Sequence, residues 1–287
     1  MISKFRIGAL VIILNFFASV AMIWGQDNPS LLQMAVPSLN IAPDARGGGM
    51  GDMGAATLPD INSQYWNAAK YAFMGSKAGV SLSYTPWLRK LVNDVALVNM
   101  TGYYKLGNSD LQAISASLRY FSLGEVNIWE NIGDVPYGLN PYEMAFDVAY
   151  SRKLSESYSM AVTLRYIRSD MGTDQNDESN AGNAFSADIS GYLEKYVLMG
   201  NAEALWSFGF NLSNIGSKIS YDGGNRNQYL PAKLTLGTGL LYPIDDYNQI
   251  GVYLDLNKYM VPYAPQKKDG ETDADFQARE DDYKSWS

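Results

Sequence analysis

The sequence contains no cysteine and no histidine. Without cysteine there is no disulfide framework, no thiolate nucleophile and no cysteine-based metal site. Without histidine the chain lacks the commonest general base and the commonest metal ligand at neutral pH. A Ser-His-Asp triad and a His-ligated zinc are both excluded. Positive charge is also scarce. The chain has 22 Lys and Arg against 30 Asp and Glu, a net charge of −8, and its pI is near 4.6. Phosphate backbones are bound by clustered Lys and Arg, so nucleic acid is not an expected partner. After residue 25 no stretch of the sequence approaches the ~20 apolar residues that a membrane helix needs. If the mature chain crosses a membrane, it must do so as a closed barrel, because only helices and barrels satisfy every backbone group in lipid.

Hydrophobic residues make up 47% of the 287 positions, and tyrosine (21) and tryptophan (6) are plentiful. Both suit water–lipid interfaces as well as ordinary sheet. At the start, Lys4 and Arg6 form a short basic region, Ile7 to Trp24 is mostly apolar, and Gly25 precedes Gln26. This is the pattern of a secretory signal cleaved after residue 25, with an uncleaved anchor as the alternative.

After residue 76 the pattern has period two. Val80, Leu82 and Tyr84 alternate with Ser81, Ser83 and Thr85. Met160, Val162, Leu164 and Tyr166 alternate with Ala161, Thr163 and Arg165. Trp206, Phe208, Phe210 and Leu212 alternate with Ser207, Gly209 and Asn211. Successive side chains of a strand point to opposite faces, so each segment has one apolar face and one polar or small face. Nine such segments are predicted, at 77–86, 94–106, 111–122, 143–153, 158–169, 183–194, 203–214, 231–242 and 248–258. Their length exceeds the usual mode of about 5–6 residues and fits the about 9–11 of a tilted membrane strand. Short links (107–110, 154–157, 195–202, 243–248) alternate with long ones (87–93, 123–142, 170–182, 215–230, 259 onward). Outer-membrane barrels show this asymmetry, with tight periplasmic turns and longer external loops. The first strand then starts in the periplasm.

The expected organisation is a signal peptide at 1–25, a glycine-rich periplasmic-side plug at 26–76 and an antiparallel β-barrel at 77–287. Nine is an odd count where single-chain bacterial barrels use even numbers, and the tail from Lys267 to Lys284 is polar and acidic, like an external loop. The sequence is therefore expected to stop before barrel closure, as the N-terminal part of a longer protein; a strand overlooked within 1–287 is the alternative.

Few residues suggest chemistry. The run Gly47–Gly51 lacks the Gly-Lys-Ser/Thr ending of a phosphate loop and reads as a plug turn. Asp170, Asp174, Asp177 and Glu178 crowd one loop, without the Asp-x-Asp-x-Asp register of a calcium site; a solvated loop is the better reading. No cofactor and no metal are expected. Loop 123–142 carries Trp129, Tyr137 and Tyr142, and Trp87 and Leu88 follow the first strand. Aromatic residues of this kind are enriched where partners dock and in interfacial girdles, and these five are the candidate partner-binding residues. Arg119 and Arg165 have lumen-facing parity.

The stretch Ala45-Arg46-Gly47-Gly48-Gly49-Met50-Gly51, with Tyr65-Trp66-Asn67-Ala68-Ala69 further on, resembles the start of the FadL-like outer-membrane barrels. Ala68 stands where those proteins usually have Pro. Ile41 to Arg46, Gly49 to Thr57 and Ser81 to Asp94 resemble more closely the PorV family, the FadL-like barrels of type IX secretion in Bacteroidota. The resemblance extends through the whole chain. It implies a FadL-type barrel, with Arg46, Gly49, Met50, Gly51 and Asn67 as its plug motif. It also implies a non-enzymatic outer-membrane role. Such a protein binds a giant translocon barrel, collects cargo by its C-terminal domain and hands it to a sortase-like surface complex, which attaches it to lipopolysaccharide. Two other roles stay open. One is a FadL-type channel for hydrophobic small molecules, which needs an apolar pocket in the lumen. The other is an outer-membrane hydrolase, whose usual His base is missing from these 287 residues.

Overall fold

The computed structural model describes residues 32–87, 94–107, 110–128, 136–172, 181–200, 202–221, 227–268 and 270–285. The chain divides into two compact units, Gln33–Pro262 with Lys284–Ser287, and Met1–Leu32 with Tyr263–Tyr283.

The larger unit is built on one antiparallel sheet. Its nine long strands are β1 (Ala78–Pro86), β2 (Val95–Leu106), β3 (Gln112–Leu123), β6 (Tyr142–Lys153), β7 (Tyr158–Asp170), β8 (Gly182–Met199), β9 (Ala202–Gly216), β12 (Lys233–Pro243) and β13 (Gln249–Tyr259). Each pairs with the next along the chain. Two ribbons, β4 (Val126–Ile128) with β5 (Tyr137–Leu139) and β10 (Ile219–Ser220) with β11 (Asn227–Gln228), lie inside connections expected to be plain loops. Among the described residues the sheet does not close: β1 and β13 each have one strand neighbour.

The alternation read from the sequence sets the two faces. Leu82, Val162, Leu164, Phe185 and Val252 are exposed on one face; Ser117, Arg119, Thr163, Arg165 and Ser207 are buried on the other. Apolar side chains left outside and polar ones inside invert a soluble sandwich and match a membrane barrel wall. No helix among the described residues is long and apolar enough to cross a membrane. The strand ends joined by short connections (107–111, 154–157, 200–201 and 244–248) lie at one end of the sheet and those joined by long connections at the other.

Residues 33–76 fold onto the buried face as short helices and turns: Pro37–Asn40, Ala45–Gly49, Ser63–Trp66 and Ala68–Phe73. They reach the whole width of the sheet. Ser83 on β1 donates to the Pro43 carbonyl, and Asp255 on β13 accepts from the amides of Gly54 and Ala55. A flat sheet would put about 38 Å between those strands. The chain from Pro43 to Gly54, partly helical, spans less than ~30 Å. The sheet therefore curls around this segment, and the buried face is a lumen.

Asp273–Ser285, most of it in the other unit, is a helix where the sequence predicts an external loop. Thr272 caps its start: its Oγ1 accepts from the Asp275 amide at 3.2 Å and donates to the Asp275 carboxylate at 2.6 Å.

Candidate functional site

The lumen is the candidate site, and it is formed between residues 33–76 and the strands. Its lower part is organised by Asn67. The Asn67 Nδ2 donates to the carbonyls of Ala55 (2.8 Å) and Gly191 (2.9 Å), and Oδ1 accepts from the Ala69 amide (3.1 Å). One fully buried amide thus ties two turns of the segment to β8. Trp66 beside it lies against two glycines. A Cβ on Gly47 would stand 2.4 Å from the indole ring, and one on Gly54 2.2 Å. Asp44 fixes the same ring: its Oδ2 accepts from the indole N–H at 2.9 Å while Oδ1 caps the helix Ala45–Gly49 through the Gly47 amide at 2.8 Å. Lys70 is fully buried and donates to Gly54 O (2.8 Å) and Thr57 Oγ1 (3.1 Å). Burial lowers its pKa to about 8, because desolvation disfavours the ammonium form. Burial likewise pushes the Tyr71 phenol above its ordinary range; its hydroxyl donates to Ile61 O and accepts from the Gln64 amide.

The wall carries the complementary polar groups. Arg165 holds Asp188 through two nitrogens (3.1 and 2.8 Å) and Asp147 through Nε (3.3 Å). Asp188 also accepts from the Asn214 amide at 2.7 Å. A register shift between Ala187 and Ile189 lets this happen, with Asn214 in the left-handed region at φ 58°, a conformation asparagine tolerates better than most residues. Gln64 bridges the segment to this network, donating to Asp147 and accepting from Ser115 Oγ at 2.6 Å. Arg119 donates to the carbonyls of Ser38 (2.5 Å) and Ile41 (3.0 Å) and packs on the Tyr65 ring. Glu143 accepts from the Ser38 amide at 3.0 Å.

These contacts give the segment a direction. Residues 34–43 meet Glu143, Arg119, Ser83 and Tyr229, all near strand ends that carry long connections. Residues 69–77 meet Ser159 and Lys105, next to the tight turns. The segment thus runs the length of the lumen.

The family model for the type IX secretion system protein PorV matches residues 25–267. The chain belongs to the PorV family. A comparison with curated proteins gave no match. As a PorV-family chain it is a component of the outer-membrane type IX secretion apparatus. Of the residues expected to form the plug motif, Asn67 is the central tie. Arg46 pairs with Asp60 at a more exposed position. Gly49 and Gly51 face open space, Gly51 at φ +80°, and Met50 is half-buried. Further wall contacts are carried by Gly54, Gln64 and Trp66, while Lys70 ties the segment to itself. Their signal in this PorV-family sequence was the density of small and amide residues around 47–69, which a period-two reading does not score. Of the expected partner-binding residues, Leu88 and Trp129 lie outside the described residues, as do Asp174, Asp177 and Glu178 of the acidic loop. For Tyr137 the backbone alone, in β5, is described. Trp87 is partly exposed just past β1, and its amide donates to Val95 O at 2.9 Å. Tyr142 opens β6, stacks on Tyr120 with centroids 5.5 Å apart and accepts from Arg168 Nε at 3.0 Å. Among the described residues no cluster of three Asp, Glu, His or Cys could hold a metal.

Proposed function

We propose that this PorV-family protein works by docking: it binds the giant translocon barrel of type IX secretion, takes cargo by its C-terminal domain and passes it to the sortase-like surface attachment complex. Residues 1–25 serve as the cleaved export signal, residues 26–76 as a plug, and the long external connections with their aromatic residues as contact surfaces. The observation that carries this reading is the family match over residues 25–267. The lumen supports it: it is crossed by residues 33–76 and lined by Arg119, Arg165, Asp147, Asp188, Lys233 and Asp255. A channel for hydrophobic small molecules needs an apolar pocket there, and an enclosure lined by paired charges offers hydrocarbon no transfer gain. The test is affinity purification of the tagged full-length protein from membranes in mild detergent. The expected result is co-purification of a very large barrel protein and of secreted proteins that still hold their C-terminal domains. Recovery of the protein with neither contradicts the docking role.

A further inference from the structure

The outward face of β1, β2, β3 and β6 carries an apolar groove of about 470 Å³. Its floor is a row of small residues: Gly102 is the register partner of Ala116. Val80 and Val148 close that row at its two ends. The rows on either side are large, Met100 opposite Leu118 and Tyr104 opposite Ile114. The trough is therefore a local lack of side chain in a surface otherwise covered by long ones. It lies in the half of the strands next to the tight turns, since β2 ends at Leu106 and the turn 107–111 follows. By the loop-length rule that half faces the periplasmic leaflet.

A cation stands at the rim of the groove on that side. Lys77, the residue before β1, holds its ammonium 5.8 Å from the centroid of Tyr104, whose ring forms the groove wall. The Lys77 side chain is half exposed; it donates to Gly107 O and lies 3.6 Å from Asp110. Lys105 also approaches that carboxylate, at 3.9 Å. Lys105 is buried on the lumen side and also donates to Met74 O, so it draws on Asp110 from within, while the half-exposed Lys77 ammonium stands directly beside the hydrocarbon trough.

We infer that this groove is a binding site for a glycerophospholipid of the periplasmic leaflet, with one acyl chain over Gly102 and Ala116 and the phosphate on Lys77. Burying hydrocarbon against Met100, Leu118 and Ile114 supplies the non-directional part of the affinity. The lysine supplies the part that distinguishes a phospholipid from a neutral lipid. The site depends on the membrane orientation set by the connections, not on the docking role.

The test uses the full-length protein in detergent, given either a phosphatidylglycerol or a diacylglycerol that carries the same photoreactive acyl chain, with crosslinks located by peptide mass spectrometry. Crosslinks from phosphatidylglycerol are expected to concentrate on the peptides containing Gly102 and Ala116. Gly102→Leu fills the floor and is expected to lower them about tenfold, the effect of two chain methylenes losing contact. Ala116→Leu serves the same end if that variant does not fold. Lys77→Glu is expected to lower crosslinking by phosphatidylglycerol and leave diacylglycerol unchanged. Crosslinks spread evenly over the outward faces of all strands, or unaffected by Gly102→Leu and Ala116→Leu, would overturn the groove. Equal effects of Lys77→Glu on both lipids, or none on either, would overturn the phosphate contact.

Discussion

A Cβ on Gly209 would stand 1.9 Å from the Ala55 carbonyl oxygen and 3.0 Å from Asn67 Nδ2. Gly209 faces Gly237 across the β9–β12 pairing, and a Cβ there would stand 2.9 Å from Ala55 Cβ. The wall is bare where residues 54–56 dock, and a side chain there strikes backbone that cannot swing away. Gly209→Val keeps a good strand residue in place but displaces the segment. Its full-length form is expected to conduct small ions in planar bilayers more than the unaltered protein; equal conductance would show that this contact does not close the lumen. Lys70 provides a pH signature. Its folded-state pKa of about 8 lies below the ordinary value of 10.5, so between those values the unfolded chain binds the extra proton. Stability contributed by this position therefore rises with pH through that window and is lowest below it. Lys70→Met is expected to remove this share of the rise in melting temperature from pH 8 to pH 10, read as the difference from the unaltered protein. Parallel curves for the two would place the Lys70 ammonium in water.

At the scale of elements, the parity of the strands makes the sharpest contrast. Leu164 is exposed on the outer face of β7 and Thr163 is buried beside it in the lumen. Leu164→Arg is expected to cost about 2–4 kcal/mol at mid-membrane and Thr163→Arg far less, measured by refolding into vesicles; equal costs would contradict the assigned faces. The nine long strands were legible because lipid on one side and a polar lumen on the other force strict alternation. Where the sequence departs from it, the strand end is hidden. β8 was expected to end at 194 and continues to Met199, because Glu194 and Lys195 interrupt an apolar pattern that resumes at Tyr196 and Leu198. The ribbons β4–β5 and β10–β11 and the helix Asp273–Ser285 were not legible for a different reason. The ribbon strands are only two or three residues long, and the helix carries charge all round, so hydrophobic period says nothing of them. Thr272 and Asp275 were the available sign of that helix. In the lumen, Asn67 was found through family resemblance, whereas Gln64 and Lys70 act through tertiary contacts to residues of other elements or turns. The run of residues 33–44 toward the long connections makes its own prediction. These 287 residues hold no cysteine, so labelling of Gln33→Cys and Tyr247→Cys is read against the unaltered full-length protein. A membrane-impermeant maleimide is expected to label Gln33→Cys on intact cells, and Tyr247→Cys only after the outer membrane is opened. The reverse pattern would invert the barrel in the membrane.

For the molecule as a whole, what decides between a carrier of proteins and a conduit for lipid is where its apolar surface lies. Here that surface is outside, on the strands and in the groove around Gly102, while the lumen is occupied by the chain itself and by the Arg165–Asp147–Asp188 network. Opening such a lumen to hydrocarbon would break a buried, bidentate ion pair, and removing one partner of such a pair costs about 3–5 kcal/mol. The work therefore falls to surfaces and connections, in keeping with membership of the PorV family. The most direct test is deletion of the full-length gene, with secreted proteins in culture fluid and at the cell surface followed alongside long-chain fatty-acid uptake by the same cells. Docking predicts that cargo accumulates with its C-terminal domain uncleaved while uptake is normal. Intact secretion with reduced uptake would contradict it and make the protein a channel for hydrophobic solutes.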